Sequence, residues 1–173
     1  QLAMARHVGE ALNLSGQIDD AIALHAQAAQ FAESKGVLAF ASHVLALLGD
    51  AHGRAGRVVE ALTIGERALQ LARRLGQRGD EAWALYLLGN IRSYGACANA
   101  NAARENYQEA LALARKLEMR PLEAQSRFAL AELAKTAGRK RDASEQFNTA
   151  AAMFRDMGMP FWLERTESAL KAL

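Results

Sequence analysis

An internal repeat of about 40 residues organises this 173-residue chain. Alanines recur at Ala21, Ala61, Ala103 and Ala143, so the steps between successive copies are 40, 42 and 40 residues. A second alanine follows each of them seven residues later, about two helical turns away and on the same helix face. A unit of this length cannot bury its apolar face alone, so neighbouring units must stack and share one core.

The repeated segments are predicted to be helices. The chain contains only two prolines, and no run of alternating Val, Ile, Thr or Tyr marks a strand. Proline is rare inside helices because it removes a hydrogen bond and clashes with the preceding turn. Aromatic residues make up only 6% of the chain, and alanine is abundant, which favours closely packed helices. We therefore expect an all-α fold.

Glycines indicate where the helices end. Gly36, Gly76 and Gly158 each follow a helical segment, and glycine closes a last turn easily because it accepts a left-handed backbone. Glu118 holds the equivalent place in the third unit, where it must adopt that backbone or end its helix differently. Asp80 is predicted to cap the next helix through its side-chain oxygen. Nine helices are predicted, at about 2–14, 18–35, 37–54, 58–75, 80–94, 101–117, 120–137, 140–156 and 160–172.

The predicted fold is an all-α, right-handed α-solenoid of about four helix-turn-helix units and a terminal helix. The units span about 1–36, 37–76, 77–118 and 119–158, and the terminal helix spans 159–173. A two-residue insertion in SYGACANANA explains the 42-residue step, and a loop accepts it because extra length costs little closure entropy. Since the chain opens at Gln1 within an amphipathic pattern, we expect it to be part of a longer polypeptide.

These units resemble tetratricopeptide repeats. The family pattern has Leu-Gly in the first helix, then an alanine, an aromatic four residues later and another alanine three after that. Leu-Gly pairs at 48–49 and 88–89 match, as do the repeated alanines. The aromatic is Tyr107 or Phe147 in the last two units, and His25 takes its place in the first. The resemblance implies that His25 fills the same packing position.

The end of the chain carries a second resemblance. The segment 118–173 is similar to the C-terminal segment of bacterial adenylate/guanylate cyclase–ATPase fusions and related LuxR-type and STAND-type regulators. That similarity implies that catalysis lies in an upstream ATPase or cyclase part of a cytoplasmic signalling protein. The repeats would then bind a partner and report to that part, as a module that is not itself an enzyme.

In tetratricopeptide arrays the first helix of each unit lines a concave face, so the resemblance implies which side chains meet a partner. Trp83, Tyr86 and Phe128 would form a central aromatic cluster among polar groups, as is typical of peptide-binding surfaces. A competing interpretation has Trp83 and Phe128 packing between units. The projected set is Arg6, Glu10, Asn13, His43, Asp50, Arg54, Trp83, Tyr86, Asn90, Ser93, Gln125, Phe128, Glu132 and Arg165.

Other classes of function have little support in these residues. His7, His25, His43 and His52 lack a carboxylate or cysteine at ligand spacing, so we predict no metal site, no cofactor and no catalytic constellation. A net charge of +2, with basic residues spread among acidic ones, argues against direct binding of nucleic acid. No apolar run is long enough to span a membrane. Cys97 is the single cysteine, which excludes an internal disulfide.

A protein or peptide partner is therefore the first hypothesis for function. One alternative is a repeat domain that senses a small-molecule effector in its groove. Another is self-association into a homo-oligomer through the terminal repeats, because the helix at 2–14 lacks a preceding unit that would cover its apolar surface.

Overall fold

The computed structural model describes residues 2–37, 40–95 and 98–173, with side chains from position 7 onward. In that part of the chain the regular structure is helical throughout, which confirms the all-α repeat class. The helices are α1 (Leu2–Ser15), α2 (Ile18–Ser34), α3 (Ala41–Arg54), α4 (Val58–Arg74), α5 (Arg78–Ser93), α6 (Ala100–Lys116), α7 (Arg120–Thr136), α8 (Lys140–Asp156) and α9 (Pro160–Lys171).

The chain forms two compact units, residues 1–103 and 104–173, and the division falls within α6. In the first unit the consecutive helices from α1 through α5 pack on one another, and α3 also packs on α5 and touches α1. Contact between alternate helices is what stacking of helix-turn-helix repeats produces, because their first helices then lie side by side. In the second unit α7 packs on α8, and α8 packs on α9.

Most helices are joined by short links that begin with a left-handed residue. Gly76, with a φ of +68°, donates its N–H to the Arg73 carbonyl at 3.1 Å. The N–H of Gln77 reaches back to the Ala72 carbonyl at 2.9 Å. This pair of bonds satisfies the last carbonyls of α4, and α5 begins one residue later, at Arg78. The glycine signal in the sequence therefore located the helix ends through backbone chemistry.

Glu118 occupies this left-handed place without being a glycine. Its φ is +56°, the single positive φ at a non-glycine residue in the described part of the chain. The two closing bonds are nevertheless present, since Glu118 N–H donates to the Arg115 carbonyl at 3.2 Å and Met119 N–H to that of Ala114 at 2.8 Å. Of the two outcomes that the sequence left open, the strained one holds.

Replacing Glu118 by glycine should therefore stabilise the protein by about 0.5–1 kcal/mol. A left-handed backbone costs a residue with a Cβ roughly 1–2 kcal/mol, and the extra freedom of glycine in the unfolded chain offsets part of that gain. The midpoint of urea unfolding measures the change. Gly158→Ala is the matched control, because no atom lies within 4 Å of a Cβ built there and backbone strain alone should destabilise it. An unchanged midpoint for Glu118→Gly would contradict the strain.

The predicted start of α3 at position 37 is wrong. Val37 still belongs to the end of α2, because its N–H closes that helix by donating to the Ala32 carbonyl at 2.9 Å. A 3₁₀ turn at Phe40 then leads into α3, which begins at Ala41. Gln77 both closes α4 and opens α5, whereas α3 begins four residues after Val37.

The predicted capping role of Asp80 is also wrong. α5 begins two residues earlier, and Gln77 stands at its cap position without a side-chain bond to the first N–H groups of the helix. The helical bonds start at once, since Glu81 N–H donates to the Gln77 carbonyl at 2.8 Å. Asp80 therefore lies inside the first turn, where its carboxylate meets side chains of α3.

The core consists largely of small residues. A Cβ added to Gly9 in α1 would lie 2.2 Å from Cε1 of His25, so the His25 ring packs directly on the backbone of α1. His25 is fully buried there, like Phe147 at the corresponding position of the fourth repeat. The eight repeated alanines are all buried: Ala21, Ala28, Ala61, Ala68, Ala103, Ala110, Ala143 and Ala150.

Candidate partner-binding face

The first helices of the repeats carry the predicted binding residues, which recur every three or four positions and so share one side of each helix. The structure buries about half of that set and leaves the rest accessible. The buried members are Asn13, His43, Asp50, Tyr86, Asn90, Gln125 and Phe128. The exposed or half-buried members are Glu10, Arg54, Trp83, Ser93, Glu132 and Arg165.

An aromatic group on α3 and α5 is the most developed feature of this side in the first unit. Trp83 meets the His43 ring at 5.5 Å between centroids and 65° between planes. On its other side it meets the Tyr86 ring at 6.0 Å and 84°. Both contacts are edge-to-face, the geometry that aromatic quadrupoles favour. We call these three residues the Trp83 cluster; its two flanking rings are buried, whereas Trp83 is half-buried.

Asp80 supports the Trp83 cluster from the start of α5. Its Oδ1 lies 3.5 Å from Nδ1 of His43, and its Oδ2 lies 2.9 Å from the hydroxyl of Ser42, which donates the proton. The same hydroxyl lies 2.9 Å from Oε1 of Gln77, so its single proton serves one acceptor at a time. Ser42 of α3 is thereby joined to two residues at the start of α5.

Asp50 and Arg54, predicted as partner contacts, bind each other. The Nε of Arg54 donates to Oδ2 of Asp50 at 2.7 Å, and the Tyr94 hydroxyl donates to Oδ1 at 2.8 Å. The guanidinium carbon of Arg54 also lies 5.7 Å from the centre of the Tyr94 ring. Burial lowers the pKa of Arg54, but the Asp50 carboxylate and Tyr94 raise it more, and the net shift is upward. This carboxylate is therefore largely satisfied within the fold.

Tyr94 and Asp80 were missed by the sequence prediction. One signal for Tyr94 existed, because glycine inside a helical pattern often marks a close approach by another group. Gly53 is such a glycine, and a Cβ on it would lie 2.7 Å from Cδ2 of Tyr94. No comparable signal marked Asp80, whose position near a predicted helix start favoured a capping role.

In the second unit, the predicted face is built around Phe128. Its ring centroid lies 5.5 Å from that of Phe147 and 5.7 Å from that of Trp162. The guanidinium carbon of Arg165 lies 5.3 Å from the Phe128 ring centre and 5.5 Å from that of Trp162. Phe128 is thus buried between its own repeat and the terminal helix, and Arg165 lies over its ring.

The remaining members of the predicted set contribute less defined contacts. The Ser93 hydroxyl donates to the Asn90 carbonyl at 2.7 Å within its own helix. Asn13 is buried, and neither its amide nitrogen nor its oxygen has a hydrogen-bond partner among the described residues. Gln125 is buried on α7. Arg6 lies in α1, and its side chain falls outside the described set.

An open depression of about 460 Å³ lies on another side of the first unit. It is formed mainly by α4, with α2 beside it, each the second helix of its repeat. An ion pair joins the two helices there, with Nη2 of Arg67 2.5 Å from Oε1 of Glu33. Its lining residues are Glu33, Ala41, Arg67, Gln70, Leu71 and Arg74. None of them belongs to the predicted partner-binding set.

Among the described residues, no three histidine, cysteine, aspartate or glutamate side chains are grouped so that they could hold a metal ion. No helix in the described ranges combines the length and the apolar character needed to cross a bilayer. Cys97, in the predicted insertion loop, lies outside the described residues.

No protein-family model matches the chain, and no curated protein matches it by sequence. Solved structures do match. A Rap protein complexed with Competence and Sporulation Factor is 16% identical with a TM-score of 0.81, over 95% of this chain and 46% of that one. Aspartyl phosphate phosphatase F from Bacillus subtilis is 15% identical with a TM-score of 0.76, over 96% and 43% of the two chains.

A third match is a kinesin light chain protein of Podosopora anserina with nearly identical TPR-like repeats. It is 16% identical with a TM-score of 0.65, over 97% of this chain and 86% of that one. The chain spans less than half the length of the Rap and phosphatase structures. At such identities the likeness establishes the fold, and the chain has a tetratricopeptide-like helical repeat fold.

Proposed function

We propose that the chain is a non-catalytic interaction module that binds a protein or peptide segment at the Trp83 cluster. One observation carries this proposal: the Trp83 ring is accessible, yet it is held between the buried rings of His43 and Tyr86. A large ring that is already fixed offers contact area to a partner at little cost in side-chain entropy. Tryptophan and tyrosine are also the residues most enriched among binding hot spots.

The ion pairs that two buried carboxylates form with arginine support a non-catalytic role. Asp50 is held by Arg54, and buried Glu81 has Arg73 at 3.0 Å and Arg78 at 2.5 Å from its two oxygens. A carboxylate whose oxygens already accept hydrogen bonds from arginine is poorly placed to take a proton from a substrate.

The context we propose is a regulatory module of a bacterial cytoplasmic signalling ATPase, cyclase or transcriptional regulator. The resemblance of the segment 118–173 to the ends of such proteins supports it. The Rap structure supports the binding role, since a protein of this fold was solved with a second molecule, Competence and Sporulation Factor, bound to it. Catalysis would then lie in another part of the polypeptide.

Replacing Trp83 by alanine should weaken partner binding at least tenfold, which corresponds to about 1.4 kcal/mol. Binding partners are obtained by selecting peptides from a random 12-residue library on the whole chain, and affinities are measured by fluorescence anisotropy. Phe31→Ala is the matched control, because Phe31 is an aromatic that is 38% exposed on α2, a second helix. Equal affinity of the Trp83→Ala variant and the wild type would show that the partner binds elsewhere.

A further inference from the structure

We infer that Arg165, on the α7–α9 face of the second unit, binds an acidic side chain of a protein or peptide segment. The inference goes beyond the proposed function, because it concerns a contact made within the second unit. Three observations support it: Arg165 packs on aromatic rings, it has no acidic partner among the described residues, and the neighbouring side chains are acidic or apolar.

The guanidinium of Arg165 rests on a fixed aromatic platform. Its central carbon lies 5.3 Å from the Phe128 ring centre and 5.5 Å from the Trp162 ring centre. Those rings are fixed in turn, since Trp162 stacks on fully buried Phe154 at 5.7 Å and 18°. A cation held over ring faces has already lost much of its rotamer freedom, so a ligand that binds it pays less of that entropy.

Arg165 has no acidic partner among the described residues. No carboxylate lies within the 4 Å of an ion pair, whereas Arg127 pairs with Glu123 at 3.0 Å and Arg155 with Glu167 at 2.9 Å in the same unit. The N–H groups of the Arg165 guanidinium donate no hydrogen bond to a described residue. Those donors match the two oxygens of a carboxylate, and Arg165 itself is exposed.

The surrounding charges favour a single carboxylate over a phosphate. Glu164 precedes Arg165 and is exposed, and half-buried Glu132 lies one turn beyond Phe128 on α7. A dianionic phosphate on Arg165 would feel about twice the repulsion from these glutamates that a carboxylate feels, whereas a monoanionic carboxylate is balanced by the single charge of Arg165.

Exposed Phe161, close to Arg165 in α9, offers an apolar contact to the same segment. Phe161, at the start of α9, is 51% exposed and meets the edge of the Trp162 ring at 5.8 Å. A segment that brings a carboxylate to Arg165 can therefore place an apolar side chain against Phe161. We expect the bound segment to carry an aspartate or glutamate close to an apolar residue.

The test uses a random 12-residue library in which both ends of each peptide continue into linkers, so that only side chains supply carboxylates. Peptides selected on the whole chain should be enriched in Asp or Glu. Changing the selected acid to its amide should weaken binding about tenfold for the wild type and should have no effect for Arg165→Gln. Arg141→Gln is the control, because Arg141 is an exposed arginine on α8 of the same unit.

Each other outcome overturns the inference. Peptides without acidic enrichment, or acidic peptides that bind wild type and Arg165→Gln equally, would exclude this contact. Peptides that require Trp83 but not Arg165 would leave only the proposed function standing, and peptides that require Arg165 but not Trp83 would leave only this inference. Binders that depend on neither residue, or no binders at all, would overturn both proposals. A phosphoserine that binds tenfold more tightly than the selected acid would exclude the carboxylate. Circular dichroism and a thermal midpoint for Arg165→Gln and Arg165→Lys show that each variant is folded.

Discussion

Replacing Asp50 by alanine should lower the free energy of unfolding by about 3 kcal/mol. The substitution removes a buried carboxylate that accepts from Arg54 at 2.7 Å and from the Tyr94 hydroxyl at 2.8 Å. Breaking a buried ion pair from one side costs about 3–5 kcal/mol, because the remaining charge stays desolvated and alone. Arg54 retains 29% side-chain exposure, so water can relieve part of the penalty, and the lower end of the range applies. Urea unfolding followed by circular dichroism measures the loss.

Two further variants separate the parts of this network. Tyr94→Phe removes one neutral-to-charged hydrogen bond and should cost about 1.5 kcal/mol, less than the loss of the carboxylate. Glu105→Ala is the surface control, since Glu105 is an exposed carboxylate on α6 and such changes usually stay within about 0.5 kcal/mol. If Asp50→Ala behaved like Glu105→Ala, the buried network would contribute no net stability, and Asp50 would be free to contact a partner.

The sequence predicted the helical repeat well because the signals that define it are local. A glycine accepts a left-handed backbone by itself, and the hydrogen bonds that close a helix join residues three to five apart. Gly36, Gly76 and Gly158 all have positive φ values and all end a helix, as predicted. The start at 37 was wrong because the link after α2 is longer than the link after α4: Val37 closes α2, and α3 begins only at Ala41.

The side-chain pairings were not predictable from one sequence, because they join residues that are far apart along the chain. Tyr94 bonds to Asp50 across 44 positions, and Asp80 bonds to Ser42 across 38. Such contacts depend on how neighbouring helices are shifted along each other, and a repeat spacing gives that shift only to about one turn. An error of one turn moves a side chain about 5 Å, more than the length of a hydrogen bond.

The burial of the residues on the predicted binding face was not predictable either. Periodicity assigns a residue to a side of a helix, but it does not say how closely the next helix approaches. Here α3 and α4 pack tightly, since a Cβ on Gly49 would lie 3.1 Å from the Ala61 carbonyl oxygen and 3.2 Å from the Gly65 nitrogen. In a unit packed this closely, polar residues projected onto the open side, such as Asp50, are largely covered.

Replacing His25 by phenylalanine should remove much of the acid sensitivity of the first unit. His25 is fully buried, and neither ring nitrogen has a hydrogen-bond partner among the described residues. Burial lowers its pKa from 6.5 to about 4, an effect that the Gly9 carbonyl and Asp50 only partly oppose. Because the folded pKa lies below the unfolded one, the wild type keeps its full stability above about pH 6.5. It loses stability as the pH falls from there through 4, and the loss is complete only below that pH.

The expected loss for the wild type between pH 8 and pH 5 is about 2 kcal/mol from this residue alone. The His25→Phe variant has no proton to gain at this position and should lack this contribution. Because both proteins contain the same carboxylates, the difference between their pH profiles gives the contribution of His25 alone. At neutral pH the variant should also be more stable by about 1–2 kcal/mol, because two unsatisfied nitrogens are replaced by carbon. Urea midpoints at pH 8, 6.5, 5 and 4 supply the profiles.

The chain itself offers evidence that a phenyl ring is accepted at this place. Phe147 fills the corresponding position of the fourth repeat and is fully buried, and there the facing helix carries Ala131, which is larger than Gly9. His52→Gln is the matched control, since His52 is only half-buried beside Glu60 and should leave the acid sensitivity of His25 in place. Parallel pH profiles for the wild type and His25→Phe would mean that His25 gains its proton in the folded state as easily as in the unfolded chain. In that case water must reach its ring, and the contact between α1 and α2 would be looser than the burial of His25 indicates.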